Sequence, residues 1–334
     1  MGALLITACG PAISIQDRGR LGFQRFGVSP AGAIDPLSLA VANVLVGNPA
    51  DSAAVELGVG VTRFVAEGSL LIALAGPDCQ LEVEGRRIPQ LSSVEVRDGE
   101  TVIARAGARA VYAYLAVRGG VAGPREMGSR SQHRRSAIGG PALGPGSAVR
   151  GGDDTDGTPK RLIGNPFDDP GPIRILAGPQ DDYFDPSMIA RLCRGDYRIG
   201  ALRDRMGLQL DGPPLQHRHG YNIVSDGIVE GAIQVPGNGR PIVLLRDRQT
   251  TGGYPKIATI ISADIGRFAQ LPSGTAVRLR LVTLDEAIEA ARAMKSLIDG
   301  LDGKLAPLEA GLSSELLLSL NLIDGVTSAE APAS

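Results

Sequence analysis

Tryptophan is absent from the 334-residue chain, and phenylalanine and tyrosine number only six each. A core in a chain this long must therefore be built from Leu, Ile, Val and Ala. Cysteine is scarce too: Cys9, Cys79 and Cys193 stand far apart, with no CxxC pair. That excludes a disulfide framework and a Cys-based zinc site, and it points to a reducing compartment. Neither sign of charge is in excess, since 34 Lys and Arg against 36 Asp and Glu leave a formal net charge of −2. No global basic field exists to hold nucleic acid or an anionic membrane. No apolar run approaches the ~20 residues of a membrane-spanning helix. The stretch "ITAC" before Gly10 has the outline of a lipoprotein cleavage box, but no basic segment precedes it and its apolar run is short. A first β-strand, "ALLITACG", is the better reading, and a soluble cytoplasmic protein is expected.

Several motifs are also missing. There is no GxxxxGK[ST] loop, no GxGxxG after a strand, no HExxH and no GxSxG. These absences leave no recognisable phosphate loop, zinc-protease helix or nucleophile elbow. His217 and His219 form an HxH pair that could face one way on a strand. With no acid or cysteine beside them they read as part of a solvated turn after Pro213-Pro214, and no metal site is expected.

What is present is β-rich. Glycine (45) and proline (23) are spread among short apolar runs, as in turn-rich β structure. "QLEVEG" alternates apolar and polar residues; "VEVRDGETVIARA" holds two such runs around Asp98-Gly99, a hairpin signal. "AVYAYLAV", "PIRILAG", "RPIVLLRD" and "AVRLRLVTL" read as further strands. Helices are few. "DPLSLAVANVLVGN" has Asp35 at an N-cap position, Pro36 in its first turn and Gly47 past its end. "TLDEAIEAARAMKSLIDG" opens with Thr283 and Glu286 at capping-box spacing and puts Leu284, Ala287, Ile288, Ala291 and Ile298 on one face. "SSELLLSLNLI" predicts a last helix. A polar, acidic, Gly- and Pro-rich stretch over 150–172 predicts a boundary between two β-rich halves. A faint echo between them, "QDRGRLG" with "AGAIDP" and "LRDRMGL" with "EGAIQVP", would fit a duplicated fold.

Three segments are dense in groups that do chemistry. In the first, residues 10–35, Gln16, Asp17, Arg18 and Arg20 crowd together after a strand. Asp17 between two guanidinium groups should stay ionised; a surface ion pair and a binding group are both consistent with that pattern. The second, 201–212, sets Asp204 between Arg203 and Arg205. The third, 225–260, begins with Ser225 and Asp226, passes a strand bearing Gln234, and ends in "DRQTTGGYPK", Asp247 to Lys256. Gly252 and Gly253 allow close backbone approach to a ligand, Thr250 and Thr251 add hydroxyls, and Lys256 adds a charge. Together these are parts of an oxyanion-stabilising site.

These stretches, with "YLAVRGGV", "LGPGSAVRGGD", "RILAGPQDDYF", "DRMGLQL" and "DIGRFAQLPSG", resemble the biotin-dependent carboxyltransferase or KipA-like family. That family takes in the C subunit of bacterial 5-oxoprolinase and the carboxyltransferase region of urea carboxylase. The resemblance runs from about residue 4 to about 287. It implies a mainly β fold of two cyclophilin-like β-barrel domains with few helices and a C-terminal helical segment, divided at 1–160, 161–283 and 284–334. It implies a KipI-like subunit as partner and, for a 5-oxoprolinase, a LamB/YcsF-like third subunit. It carries over Asp17, Asp247, Tyr254 and Lys256 as catalytic residues, and Gln16, Arg20, Arg205, Ser225, Asp226, Gln234, Thr250 and Gly252 as substrate-binding residues. Asp17 and Lys256 are expected to face one cleft. The segment "GSRSQHRRSAIGG" departs from the family pattern, with Gln132 and His133 where small or hydroxyl residues are usual. The resemblance brings three candidate activities: ATP-dependent opening of 5-oxo-L-proline to L-glutamate, carboxyl transfer from biotin to urea or a related amide nitrogen, and non-catalytic binding of a KipI-like kinase inhibitor. With no biotin carboxylase, biotinyl domain or Met-Lys-Met segment in the sequence, the first is favoured.

Overall fold

The computed structural model describes residues 2–152 and 157–308. The N-terminal half is built on two sheets. One runs in the order Ala148–Arg150, Ala3–Ala8, Val61–Glu67, Thr101–Ala106, Cys79–Val83, Arg86–Ile88. The other runs Ile13–Gln16, Ala54–Leu57, Ala113–Val117, Leu70–Ala75, Ser93–Val96. Alternate residues of both, among them Leu4, Ile6, Phe64, Ile72, Val102 and Leu115, form one dry cluster. The first strand is where the apolar alternation puts it, with Leu4 and Ile6 fully buried.

Asp98-Gly99 does turn the chain, and Gly99 takes the left-handed φ of +80° that the turn requires. The flanking strands do not pair with each other, however. Ser93–Val96 pairs with Leu70–Ala75, and Thr101–Ala106 with Val61–Glu67 and Cys79–Val83. The turn therefore passes the chain from one sheet to the other instead of closing a hairpin. Its side chain is used for that crossing, as Asp98 accepts a hydrogen bond from Gly68 N at 2.7 Å.

The C-terminal half is an eight-stranded sheet. Its order is Ala276–Val277, Tyr197–Arg203, Gly207–Asp211, Ile242–Leu244, Ala232–Gln234, Lys256–Ile260, Ile173–Ala177, Leu279–Leu281. The first and last strands are separated in sequence only by Arg278, so the sheet bends round into a nearly closed barrel. The described part of the 150–172 stretch is held by both halves: Lys160–Leu162 pairs with Leu305–Pro307, Leu162 N bonds Leu91 O at 2.8 Å, and Arg267 Nη2 donates to Pro172 O at 2.9 Å.

Helix α1, Pro36–Leu45, is buried along nine of its ten residues. An apolar helix with no polar face belongs in a core, and this one joins the main hydrophobic cluster, which includes side chains from both halves. Asp35 caps it, accepting from Leu37 N and Ser38 N at 3.2 Å each, and Gly47 follows its end with φ +77°. Two further helices, each only about two turns long, have no counterpart in the sequence reading: α2, Ser187–Arg194, and α3, Ser262–Ala269. A Cβ on Gly266 in α3 would lie 2.9 Å from Asp35 Oδ1, so that glycine lets α3 reach the cap of α1. Helix α4, Leu284–Asp299, has the predicted reciprocal capping box between Thr283 and Glu286. Its packed face is rotated from the expected one: Ala287 and Ala290 are buried, while Leu284 and Ile288 stay exposed. The predicted helix "SSELLLSLNLI" lies outside the described residues. Cys79 is buried, and burial, reinforced by Asp78, pushes its thiol up to about 12.

Candidate functional site

The strand Ile13–Gln16 delivers Gln16 and Asp17 into the interior. Gln16 Nε2 donates to Ser14 Oγ at 2.8 Å and to Gln132 O at 3.0 Å, and its Oε1 accepts from Gly32 N at 3.0 Å. Asp17 accepts from Gly19 N at 2.8 Å, Ser129 Oγ at 2.6 Å, Arg130 N at 2.7 Å and Ser131 Oγ at 2.5 Å. Burial opposes its ionisation, but these bonds outweigh it and hold the carboxyl below its ordinary value. Asp17 is thus a buried tether for the loop 129–131. Arg20, 1% exposed, donates through Nη2 to the Ser131 carbonyl, while its Nε and Nη1 have no hydrogen-bond partner among the described residues. The two residues that depart from the family pattern shape the same loop. Gln132 Oε1 accepts from Ile15 N at 2.9 Å, and His133 Nδ1 accepts from Ser136 N at 3.1 Å.

Because Asp17 is stabilised as an anion, its contribution to stability is complete above the ordinary carboxylate range and is lost as pH falls through its depressed folded value. Asp17→Asn leaves buried N–H and O–H donors facing an amide, at an expected cost of about 1–3 kcal/mol at neutral pH. The wild-type advantage should shrink as the pH drops below the ordinary aspartate value. Thermal denaturation of both proteins from neutral pH downward measures this; a difference that does not depend on pH would contradict it.

Arg205 lies at the centre of a second network. Its Nε and Nη2 make a two-pronged contact with Asp247, at 2.9 and 3.0 Å. Nη1 donates to Glu56, and Nη2 also reaches Gly32 O at 2.7 Å. Glu56, 2% exposed, further accepts from Ile34 N at 3.1 Å and Tyr114 Oη at 2.6 Å. Burial disfavours the Arg205 cation, but Glu56 and Asp247 more than compensate, and its pKa lies well above the ordinary value. This cluster joins the N-terminal strand Ala54–Leu57 to the C-terminal barrel. Close by, Arg246 Nε is 3.0 Å from Glu230 and 3.0 Å from Ala33 O. Burial raises the Glu230 carboxyl, partly offset by Arg246 and Arg248.

Lys256 opens the strand Lys256–Ile260 and is 2% exposed. Its Nζ donates to Asp226 Oδ2 at 3.0 Å. Gln180 braces the pair: its Oε1 accepts from Lys256 N at 3.3 Å, and its Nε2 donates to the same Asp226 oxygen at 3.2 Å. Bonds from Lys256, Gly227 N and Gln180 lower the Asp226 carboxyl. A two-residue ribbon pairs Asp226–Gly227 with Thr251–Gly252, which fixes the Asp226 loop over the 250–256 loop. Gln234 sits opposite Lys256 in the sheet register, is buried, and has no partner for its Nε2 among the described residues. A Cβ on Gly252 would come within 2.7 Å of that nitrogen and 2.6 Å of Ile228 Cδ1, so a larger residue there requires those side-chain ends to shift. Ser225 borders Gly253, Tyr254 is 41% exposed, and Thr250 O accepts from Ile228 N at 3.0 Å.

The structure thus gathers Ser225, Asp226, Gln234, Thr250, Gly252, Tyr254 and Lys256 into one loop cluster, and Gln16, Asp17 and Arg20 into another. Arg205 and Asp247 lie in the interlock between them. His133 Nε2 is 3.3 Å from Asp247 O, and Ser29 Oγ donates to Arg246 O and Arg248 O at 3.0 and 2.8 Å. No hydrogen bond or ion pair joins Asp17 to Lys256 among the described residues. Glu56, Gln180, Ser129 and Glu230 were not singled out from sequence. Glu56 alone carried a signal, as an acid inside the apolar run "AAVELGV". His217 packs on Phe184 at 5.0 Å and lies 2.9 Å from Val235 O.

A nearly closed barrel joined to a two-sheet unit is a fold shared with solved proteins. TTHA0988 superposes with a TM-score of 0.77 at 31% identity, over 84% of this chain and 56% of that one. The K. lactis urea amidolyase superposes at 0.81 with 23% identity, over 91% of this chain and 21% of that one, a likeness of fold. The chain therefore spans about half of TTHA0988 and a fifth of the amidolyase. The family described as carboxyltransferase domain, subdomain A and B, matches residues 26–281, and the chain belongs to it. It is 34% identical to the 5-oxoprolinase C subunit of Escherichia coli (strain K12) over 296 residues, 86% of this chain and 94% of that protein.

Proposed function

We propose that this chain is the C subunit of an ATP-dependent, cytoplasmic 5-oxoprolinase complex and contributes groups that open 5-oxo-L-proline to L-glutamate. The observation that carries the reading is the 34% identity to the E. coli protein across 94% of its length. Local geometry supports it. A lactam is resonance-stabilised, and opening it builds negative charge on the carbonyl oxygen. Preorganised donors in a dry place stabilise that charge. Lys256 Nζ, the unpartnered Gln234 Nε2, the Thr250 hydroxyl and the backbone at Gly252 supply such donors. Asp226 holds the ammonium, and Ser225 and the half-exposed Tyr254 border the substrate. Arg20 lies in the other cluster, buried, with its Nη2 on the Ser131 carbonyl. Gln16, Asp17, Arg205 and Asp247 fix the loops from which these groups project.

The partners in this reading are a KipI-like subunit together with a LamB/YcsF-like one. ATP, which drives ring opening against resonance, enters in the assembled complex, since the sequence has no phosphate loop. A second reading, carboxyl transfer to an amide nitrogen, draws on the fold shared with urea amidolyase. The same donor set fits the ureido oxygen of biotin, so biotin is the cofactor in that case. The purified chain alone should show no 5-oxoproline turnover. Co-expression with both companions should give ATP-dependent glutamate release. Turnover by the chain alone, or an assembled complex that carboxylates urea and leaves 5-oxoproline untouched, would reject the first reading.

A further inference from the structure

Lys256 is held from a distant part of the chain, the turn Gly178-Pro179-Gln180. Gly178 N donates to Ile257 O at 2.9 Å, and Gln180 N to Lys256 O at 3.3 Å. A Cβ on Gly178 would stand 2.1 Å from that same Lys256 carbonyl, so the turn lies this close to the strand only with glycine there. The Gln180 side chain completes the hold. Its Oε1 accepts from Lys256 N, and its Nε2 donates to Asp226 Oδ2, the oxygen that takes the Lys256 ammonium at 3.0 Å. One residue thus ties down the N–H, the carbonyl and the counter-ion of Lys256. The turn is itself anchored. Tyr183 N donates to Gln180 O at 3.2 Å, Phe184 and His217 form an antiparallel bridge, and their rings lie 5.0 Å apart. His217 Nε2, 2.9 Å from Val235 O, carries the proton, since a carbonyl only accepts. Val235 N in turn donates to the carbonyl of Pro255, next to Lys256, at 3.0 Å. The frame closes on the lysine from both sides.

We infer that Gln180 is a positioning residue for Lys256: it sets where the ammonium points and shares its carboxylate partner, without touching the substrate. The inference rests on the functional reading above, in which Lys256 stabilises charge in the transition state. An ammonium on a flexible four-carbon stem has many rotamers, and preorganisation requires that one be fixed before charge develops. Asp226 does not fix it unaided, because its side chain is half exposed and is itself held only by its own bonds. The Gln180 amide supplies one of those bonds while its oxygen holds the backbone of the lysine. A neutral amide is the group for this task, being donor and acceptor at once. A glutamate at 180 could accept from Lys256 N, but it could not donate to Asp226 and would set a second negative charge beside the ammonium. An alanine would do neither.

The test compares Gln180→Ala and Gln180→Glu with Asp182→Ala, an exposed neighbour in the same turn, as control. In the full chain, acetylation of Lys256 by acetic anhydride is followed by peptide mass spectrometry, with the exposed Lys295 as internal standard. Gln180→Ala should speed labelling of Lys256 on the order of tenfold, the effect of losing one hydrogen bond to a charged group. Asp182→Ala should label like the wild type. In the assembled complex, Gln180→Ala should lower kcat for 5-oxoproline on the order of 10- to 100-fold with KM within about threefold, because the lost interaction acts as charge develops. Gln180→Glu should move the basic limb of the pH–rate profile to higher pH, since an added carboxylate favours the ammonium. A purely structural fault would lower the yield of complex and leave that limb in place. Gln180→Glu keeps the bond from Lys256 N and carries the test if Gln180→Ala does not fold. Wild-type labelling of Lys256 in Gln180→Ala, equal acceleration in Asp182→Ala, or an unmoved limb in Gln180→Glu overturns the inference. If Gln180→Ala speeds labelling of Lys256 but the wild-type complex leaves 5-oxoproline closed, the positioning stands and the substrate assignment fails.

Discussion

Lys256→Met is expected to lower 5-oxoproline turnover by the assembled complex by about 10²–10³-fold, the usual loss for one preorganised stabiliser of transition-state charge. The variant should still fold and assemble. Methionine keeps most of the buried stem and suits an apolar setting. The partner left behind, Asp226, is exposed and stays hydrated, so no buried charge is orphaned. That separates the chemical effect from the structural one. Steady-state kinetics on a complex purified to constant stoichiometry measures it. Turnover within about threefold of wild type, far short of the loss expected for such a donor, would make the 250–256 stretch a structural loop.

Arg205→Met should do the opposite, with its main effect on stability. Glu56 is buried and Asp247 nearly so, and both lose their counter-ion at once. Removing one partner of a buried charge network typically costs about 3–5 kcal/mol. In a chain of this size that is a fall in Tm on the order of 10 °C. Arg135→Met is the natural control. Its ion pair with Asp204 at 2.9 Å is exposed on both sides, and such pairs are worth about 0–1 kcal/mol. Adding Glu56→Leu to Arg205→Met should recover part of the loss, because one uncompensated charge is removed. Calorimetric unfolding of the four proteins decides the matter. Equal, small changes in Arg205→Met and Arg135→Met would show that the network contributes nothing special.

The family resemblance and the three polar-dense segments were legible in the chain because motifs such as "QDRGR" and "TTGGYPK" are local strings. The helix caps were legible for the same reason: Asp35 bonds N–H groups two and three residues away, and Thr283 and Glu286 bond each other across one turn. The Asp98-Gly99 turn was legible as a turn, since glycine's freedom at positive φ is a property of one residue. Its destination was not, because the sheet that receives a strand is chosen by partners far along the chain. The same distance hid the roles of Asp17, Glu56 and Gln180. Asp17 is held by Ser131, 114 residues away; Glu56 meets Arg205 across 149; Gln180 reaches Asp226 across 46. The sequence by itself determined which residue types were available, where the chain could turn or cap a helix, and that the core would be aliphatic. Only the tertiary structure decided which of the polar groups became buried tethers and which kept unpartnered donors, as Gln234 and Arg20 do. Hydrogen bonding is satisfied pair by pair in space, and whether a buried donor finds an acceptor depends on packing between segments that share no local sequence signal.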